Sequence, residues 1–426
     1  MVISRRSLLR LSATAGAGAL VTAGCSNRPG GSATAGVTTL WCWPGGLSEK
    51  VLADAATHFA GTTKLASSVL SGDYKQQLLD ALDRGKDVPD IVGIKGEDIA
   101  SLLPRADRFV DLNTLGAAEV QGQYLRWKWQ QGSTFDGRLV GFPIDIGPTA
   151  MFYRADVFRK AALSDVPDRV TAAMASWDRF LTTGRKIVKA VPGVRLLASG
   201  TQIFGLRMSQ STKRFVDEGN HFVGDQQHVR VPWDCAVRLG EWGLSAKIQS
   251  DAESWGKDLA AGKFAVELGA AWHALDIQQV APKTAGLWRV AAGPAAGANS
   301  GGSFLAIPAG ARDPEQSFGI IRWLLSPENQ ALAFTDAALF PSTPAAYTLP
   351  AMTQPDEFFG GQHTVQVFGP SAQKAPRVYE APSDGTIYQV YAKELQNVEN
   401  GTKTAAQGWR DAVTQARSLA TSLGVD

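Results

Sequence analysis

Apolar and polar residues alternate along the chain in two periods, one typical of strands and one typical of helices. Residues 37–43 are β-branched and aromatic and are followed by a Pro-Gly-Gly sequence, which predicts a buried strand that ends in a turn. Val51, Ala55 and Phe59 then lie four apart on one face, and Ser48 stands where a helix N-cap is expected. The chain therefore begins its folded part with a strand, a turn and a helix.

The same alternation continues over most of the chain. Short apolar runs predict strands, preceded in one case by a hairpin turn, at residues 89–94, 136–143, 149–153, 264–272 and 303–307. Helical periodicity or capping residues predict helices at 73–84, 176–188, 233–242, 255–262 and 405–423, and after Asp313-Pro314 and Ser326-Pro327. Residues 293–302 are rich in Gly and Ala and predict a loop. This order predicts a parallel sheet covered by helices on both faces.

The first 24 residues have the layout of an export signal rather than of a folded element. Arg5, Arg6 and Arg10 precede an apolar run of about 13 residues. A bilayer span needs roughly 20 apolar residues, so the run predicts a signal peptide and not a permanent anchor. Residues 4–9 (SRRSLL) resemble the twin-arginine signature, whose pathway exports folded proteins. Export through the general secretory route remains the alternative.

The signal ends in a sequence that resembles a bacterial lipobox, Thr22-Ala23-Gly24-Cys25. It departs from the pattern at Thr22, where lipoproteins prefer Leu. The resemblance implies that Cys25 carries a lipid and that the protein is held on the outer face of the cell membrane without spanning it. The alternative is an ordinary signal with an unrelated cysteine. Residues 25–36 are predicted to form a flexible tether.

The remaining residues, about 390, suit two domains rather than one. The net charge of +2 comes from the signal, because without its three arginines 39 basic residues face 40 acidic ones. A chain this close to neutral has no electrostatic footprint for nucleic acid. Cys42 and Cys235 lie far apart in apolar segments and are predicted to be buried thiols, with a disulfide as the alternative. Twelve tryptophans suit both a large core and stacking on sugar rings.

Five stretches in order resemble the family 1 extracellular solute-binding proteins of ABC importers, the family of maltose-binding protein. They lie at residues 39–43, 74–91, 136–158, 261–272 and 301–328. No single stretch is very specific, but together they extend over nearly all of the chain after the signal.

The resemblance implies an α/β periplasmic-binding-protein-like fold of type II, with two lobes, each a mixed sheet covered by helices, joined by a hinge. Lobe one is expected at residues 37–145 plus 302–345, and lobe two at 146–301 plus 346–426. The implied function is to capture a mono- or disaccharide between the lobes and to deliver it unchanged to a membrane permease. The chain is expected to act as a monomer without cofactor or metal ion.

Four aromatic residues are candidates to stack on a sugar. By the resemblance, Trp272 ends a strand where the family places a stacking Trp, and Tyr388 lies thirteen residues before Gly401, as a stacking Trp of maltose-binding protein does. Trp43 ends the first strand, and Phe204 is a further candidate. A plain core position is the alternative for each ring.

Four polar residues are candidates for the hydroxyl rim of a sugar. Asp145 lies at the first predicted crossover among apolar residues, where a carboxylate needs partners. Ser303 follows two glycines that allow close backbone approach. Lys95 and Glu97 follow a predicted strand, at the sheet edge where open α/β folds bind ligands. The alternatives are a turn-capping Asp at the hinge and a solvated loop.

Two other classes of function stay open. A polyol or a glycerol phosphodiester is the rival ligand, although a phosphate would call for Arg, Lys and helix N-termini. A carbohydrate-active lipoprotein enzyme is the rival class. The sequence contains no G-x-S-x-G or Walker loop, and its five His residues have no metal-ligand spacing, with His273 the one of interest beside Trp272.

Overall fold

The structure is a computed structural model that describes residues 36–249 and 252–426. The predicted signal at 1–24, the predicted lipidation site Cys25 and residues 26–35 of the predicted tether lie outside the described residues. Gly36, the last residue of the predicted tether, begins the first strand instead.

The described residues contain nine strands in two sheets. They are β1 (Gly36–Cys42), β2 (Thr63–Val69), β3 (Ile91–Lys95), β4 (Phe142–Ile146), β5 (Thr149–Arg154), β6 (Val266–Ala270), β7 (Trp288–Ala291), β8 (Ser303–Ala306) and β9 (Phe340–Pro341).

Helices cover both sheets. The α-helices of the described residues are α1 (Glu49–His58), α2 (Tyr74–Arg84), α3 (Gly96–Leu102), α4 (Arg126–Gln131), α5 (Ala155–Lys160), α6 (Pro167–Ala173), α7 (Trp177–Ala190), α8 (Gly200–Ser209), α9 (Gln227–Glu241), α10 (Trp255–Ala260), α11 (His273–Val280), α12 (Pro314–Leu324), α13 (Pro327–Ala337), α14 (Val365–Lys374), α15 (Asp384–Glu399) and α16 (Ala405–Ser422). Short 3₁₀ helices lie at Leu103–Arg108, Leu112–Leu115, Ala117–Gln123, Pro282–Thr284, Pro344–Thr348 and Glu357–Phe359.

Local capping chemistry explains where several helices begin. The Ser48 hydroxyl accepts a hydrogen bond from the Val51 amide at 3.1 Å, which starts α1. Ser176, Asp313 and Ser326 cap α7, α12 and α13 in the same way. Each cap satisfies an amide that the first helical turn leaves without a partner, so these predicted helix starts are confirmed.

The first sheet has the order β2-β1-β3-β8-β4-β9. Only β2, β1 and β3 run parallel, so the prediction of a wholly parallel sheet was wrong. Parallel neighbours need a crossover on the same sheet, whereas β8 returns from the second sheet and pairs antiparallel with both β3 and β4. The strand pattern alone carries no information on such a return.

The second sheet has the order β6-β5-β7, with antiparallel pairing throughout these strands. Single parallel bridges, Arg195 with Phe264 and Leu197 with Ser245, extend its edge. Both sheets are helix-covered, as expected, but only the first is mixed, because the three strands of the second pair antiparallel.

The sheets pack on several apolar cores, one of which contains residues of both sheets, among them Ile146 of β4 and Phe152 of β5. Leu40 and Cys42 of β1 belong to the core on one face of the first sheet, and Trp43, which directly follows β1, belongs to the core on the opposite face. The reason is that alternate strand residues point to opposite faces. The second sheet packs on a large core around Trp233, and Cys235 belongs to it. Cys42 and Cys235 are buried free thiols. Within the described residues, none of the helices has the length and apolar character that a membrane span requires.

Two adjacent segments connect the sheets. The chain passes from β4 to β5 at residues 147–148, and residues 298–302 run beside it back to β8. The Gly147 amide donates to Asn299 Oδ1 at 2.8 Å, and the Ser300 amide donates to the Gly147 carbonyl at 2.8 Å. A Cβ at position 147 would lie 1.8 Å from the Ser300 oxygen, so only glycine allows this close approach.

Candidate ligand-binding cleft

A cavity of about 630 Å³ lies where the two sheets face each other. On one side it is lined by the start of α3 and by Lys75 and Gln131. On the other side it is lined by the end of β6, by α8 and by α15. The connecting residues 299–301 close it at the base. This volume lies within the usual range of small-molecule sites.

Trp272 lies at the start of α11 and lines the cavity. Its indole Nε1 donates to the Ser300 carbonyl at 3.0 Å, which ties one edge of the ring to the connecting segment. The ring also meets His273 edge-on, with 6.0 Å between centroids. The indole is half-buried and held in one orientation, as a stacking platform requires.

Tyr388 lines the cavity from α15. Phe204 of α8 is fully buried beneath it, with the two rings stacked at 5.7 Å and 19°. Burial raises the pKa of Tyr388 to about 12, and the positive charge of Arg214, which lowers this pKa, offsets only part of the rise. The phenol therefore stays neutral. The structure therefore brings Tyr388 and Trp272 to the same cavity and places Phe204 behind Tyr388 as its support.

Trp43 lies in the core of the first sheet. Its ring packs edge-on against the ring of Tyr74, with 5.5 Å between centroids. The ring lies between Gly46 and Gly93, and a Cβ added at either glycine would lie 2.8 Å from it. The Lys95 ammonium lies 5.5 Å from the ring centroid. Trp43 is thus an enclosed core side chain with a cation over its ring.

Asp145, Ser303 and Lys95 lie side by side on three adjacent strands, since Ser303 of β8 pairs with both other residues. Asp145 is buried near Lys128, a fully buried lysine of α4 that the sequence did not single out. Burial lowers the pKa of Lys128 to about 7, and Asp145, Glu380 and Glu97 act against that shift. Asp145, Ser303 and Lys95 do not line the cavity, whereas Ser300 and Gly301 do.

Glu97 lines the cavity from the first turn of α3, next to Gly96 and Asp98. The Gly96 amide donates to the Gly302 carbonyl at 2.7 Å, which fixes the start of α3 against the connecting segment. Asp98 forms an ion pair with Lys75 at 3.3 Å. The side of the cleft formed by the first sheet therefore offers polar and charged groups.

A buried polar cluster at the other side was not predicted from the sequence. Glu267 of β6 is fully buried, and its Oε2 accepts from Gln202 Nε2 at 2.8 Å and lies 3.1 Å from His273 Nε2. His273 Nδ1 lies 3.1 Å from Asp276 Oδ2. Burial alone would lower the pKa of His273, but the hydrogen bonds to Asp276 and Glu267 outweigh it and raise the pKa to about 9. His273 is therefore a cation that bridges two carboxylates.

A second ion pair lies at the α15 end of the cavity. Arg214 pairs with Glu380, and both line the cavity. Asp384 accepts from the Phe215 amide at 2.9 Å and the Ala381 amide at 2.7 Å. Burial raises the pKa of Asp384 to about 6. Since Lys75 and His273 are also paired, three of the four basic side chains among the described residues that line the cavity are committed to carboxylates.

Residues 46–360 of the chain match the family described as bacterial extracellular solute-binding protein. A lactose-binding protein of Rhizobium radiobacter is 25% identical over 371 residues, which cover 82% of this chain and 84% of that protein.

Among solved structures, an extracellular solute-binding protein of family 1 superposes with a TM-score of 0.85 and 27% identity over 90% of this chain and 100% of that chain. A galacto-N-biose/lacto-N-biose I-binding protein of an ABC transporter from Bifidobacterium longum, in complex with lacto-N-biose, superposes with a TM-score of 0.76. It is 16% identical, covers 93% of this chain and 100% of that chain, and bears on the fold alone.

Proposed function

The chain belongs to the bacterial extracellular solute-binding proteins, and we propose that it captures a neutral mono- or disaccharide in this cleft and delivers it to an ABC permease. The observation that carries the proposal is the pairing of Trp272 and Tyr388 with buried carboxylate and amide groups in one cavity. Rings bury the apolar C–H face of a sugar, while carboxylates and amides bond its hydroxyls.

The charges of the cavity favour a neutral ligand over a phosphodiester. A phosphate needs uncommitted cations or amides, whereas Arg214 is paired with Glu380 and Lys75 with Asp98. The remaining lysine of the lining, Lys393, is exposed on α15. Five carboxylates line the same cavity: Glu97, Asp98, Glu267, Glu380 and Asp384. An anionic ligand would be repelled by this set, and a polyhydroxylated neutral one would not.

The two lobes are proposed as residues 37–145 plus 302–345 and residues 146–301 plus 346–426, with the connecting segments as the hinge. Closure of the lobes over the sugar is hinge motion at the three places where the chain passes between them, residues 147–148, 298–302 and 342–347. Glu97 is proposed to reach the ligand from the first lobe, and Asp145, Ser303 and Lys95 to contribute to the site once the lobes have closed.

After removal of the signal, a lipid on Cys25 would anchor the protein to the outer face of the membrane. The protein is proposed to act there as a monomer. The family resemblance and the lipobox-like sequence before Cys25 support this part. In cells, Cys25→Ser is expected to move the protein from the membrane fraction to the soluble fraction. Wild-type protein already in the soluble fraction would contradict the anchor and leave the sugar proposal intact.

Thermal denaturation of the purified protein across mono- and disaccharides, with a glycerol phosphodiester in parallel, tests the ligand. A ligand at 100 times its Kd stabilises the folded state by about 2.7 kcal/mol, which raises the Tm by several degrees. A rise in Tm with the phosphodiester and with none of the sugars would overturn the proposal that the ligand is a sugar. Release of new reducing ends from oligosaccharides would overturn delivery without chemistry.

A further inference from the structure

The buried polar cluster contains two oxygen atoms that lack a donor. Glu267 Oε2 is satisfied by Gln202 and His273, but Glu267 Oε1 has no hydrogen-bond partner among the described residues, and neither does Gln202 Oε1. Both atoms are buried, and both side chains line the cavity. Buried acceptors of this kind are normally bonded, so each one calls for a partner from outside the protein.

The contacts fix which atom of each side chain stays unpaired. The Gln202 amide must direct its nitrogen at Glu267, because an oxygen there would face a carboxylate at 2.8 Å. His273 lies between Glu267 and Asp276 and needs an N–H on each ring nitrogen to bond both. Glu267 is therefore held as a carboxylate, an acceptor without a proton of its own.

The cluster is rigid and lies beside the ring of Trp272. Phe152 and Trp255 pack on His273 at 5.7 and 5.6 Å, and the edge of Trp272 meets it from the cavity side. Glu267 belongs to β6 and pairs in register with Phe152. Because Gln202 Nε2 and Glu267 Oε2 are 2.8 Å apart, the two unpaired oxygens belong to neighbouring head groups in the lining of the cavity.

On the basis of the proposed function, we propose that Glu267 and Gln202 form an acceptor pair that determines specificity by receiving hydrogen bonds from two neighbouring hydroxyls of one sugar ring. Two donors are required at once, and a vicinal diol supplies them on adjacent carbons. His273 and Asp276 are positioning residues for Glu267. A sugar that lacks either hydroxyl leaves a buried acceptor unpaired and is rejected.

The test changes the protein and the sugar in turn and measures the Kd of each combination. Titration calorimetry with lactose, maltose and their monodeoxy derivatives is carried out on the wild type, on Glu267→Gln and on Gln202→Leu. Glu241→Gln, the same change at an exposed position on α9, is the control. Two neighbouring deoxy positions are expected to weaken wild-type binding roughly 10- to 100-fold each, the cost of leaving a buried acceptor without its donor.

The variants then assign those positions. Glu267→Gln is expected to lose a similar factor for the parent sugar and to show a smaller further loss than the wild type when the matching hydroxyl is removed, because its amide offers that hydroxyl only a neutral N–H in place of a charged oxygen. Gln202→Leu behaves likewise for the neighbouring hydroxyl, and Glu241→Gln matches the wild type. The wild-type deoxy series needs no variant to fold, so it stands if Glu267→Gln proves unstable.

The outcomes separate this inference from the function it rests on. If the wild type binds neither disaccharide nor any sugar of the wider panel, both fall. If the wild type binds a sugar and every monodeoxy derivative equally well, or if the deoxy penalties are unchanged in Glu267→Gln, the acceptor pair is overturned and the sugar-binding function stands.

Discussion

The two sides of the cleft differ in what supports them and in what they offer a ligand. The side formed by the second sheet rests on α8, α9, α15 and α16, whose apolar residues share one large core. It carries both rings of the cavity, Trp272 and Tyr388, together with the Glu267 cluster. Its groups are buried and fixed by several contacts each, so they are organised before a ligand arrives.

The side formed by the first sheet offers less. Its main element is the first turn of α3, a helix of seven residues held to the connecting segment by the Gly96 amide. Glu97 is exposed there, and the described lining residues on this side are polar, charged or small. The comparison indicates that the sugar is recognised mainly by the second sheet and that the first sheet closes over it.

The largest expected effect is that of Trp272→Ala on sugar binding. Loss of the platform exposes roughly 100 Å² of apolar surface, about 2.5 kcal/mol or close to 100-fold in Kd. The fold is expected to survive, because the indole is half-buried and its one polar contact is with Ser300. Titration calorimetry with the best sugar of the panel measures the loss.

Trp242→Ala is the matched control, since Trp242 is 37% exposed at the end of α9 and stacks on arginines. It should bind sugar as the wild type does. An unchanged Kd in Trp272→Ala would remove this ring from the site and with it the main difference between the two sides.

The second effect is a dependence of stability on pH. Because the pKa of His273 is raised from 6.5 to about 9 in the folded state, its contribution is complete below pH 6.5 and is lost as the pH rises through about 9. The loss is on the order of 1–3 kcal/mol for a buried histidine between two carboxylates. Denaturant unfolding of the protein without sugar at pH 6, 7.5 and 9.5 measures it.

His273→Gln serves as the control, because it removes the titrating group and keeps a donor toward Glu267. Its stability is expected to be lower at pH 6 and to change less between pH 6 and 9.5. If the free energy of unfolding changed with pH equally in the two proteins, His273 would be neutral in the folded state. The Glu267 cluster would then be held less firmly than proposed for the side formed by the second sheet.

The sequence predicted best what short stretches determine alone. Ser48 and Asp313 cap helices through groups three residues away. Trp272 could be found because the order of five stretches placed it at a strand end. The pairing of β8 with β3 could not be found, since it depends on a return from the other sheet.

The Glu267 cluster escaped prediction for a related reason. Glu267 stands in an apolar strand as one alternating polar residue, and its partner Gln202 comes from a helix 65 residues earlier. That helix, α8, is apolar on several faces around Phe204 and has no clear amphipathic period. The adjacent His273 was the one visible signal, and its meaning required the fold.

A smaller effect is expected for Glu97→Gln, the corresponding change on the side of the first sheet. Glu97 is exposed, so water screens whatever it contributes, and the loss of sugar affinity should be about 2- to 5-fold. The measurement is the same calorimetric titration, set beside Glu267→Gln. A loss as large for Glu97→Gln as for Glu267→Gln would mean that both sides recognise the sugar equally.

The smallest effect is expected for Phe135→Ala, which removes a ring contact between the two sides. Phe135 precedes β4 and is 80% exposed, yet its ring lies 6.2 Å from that of Tyr379, next to the paired Glu380. An exposed pair of tilted rings contributes little, so sugar affinity should fall by no more than about twofold. Because this contact forms only when the two sides are together, any loss of affinity is expected to come from faster dissociation of the sugar. Rapid-mixing fluorescence measures that rate. If Phe135→Ala weakened binding by 10-fold or more, closure would supply much of the affinity, and the second sheet could no longer be regarded as the side that holds the sugar by itself.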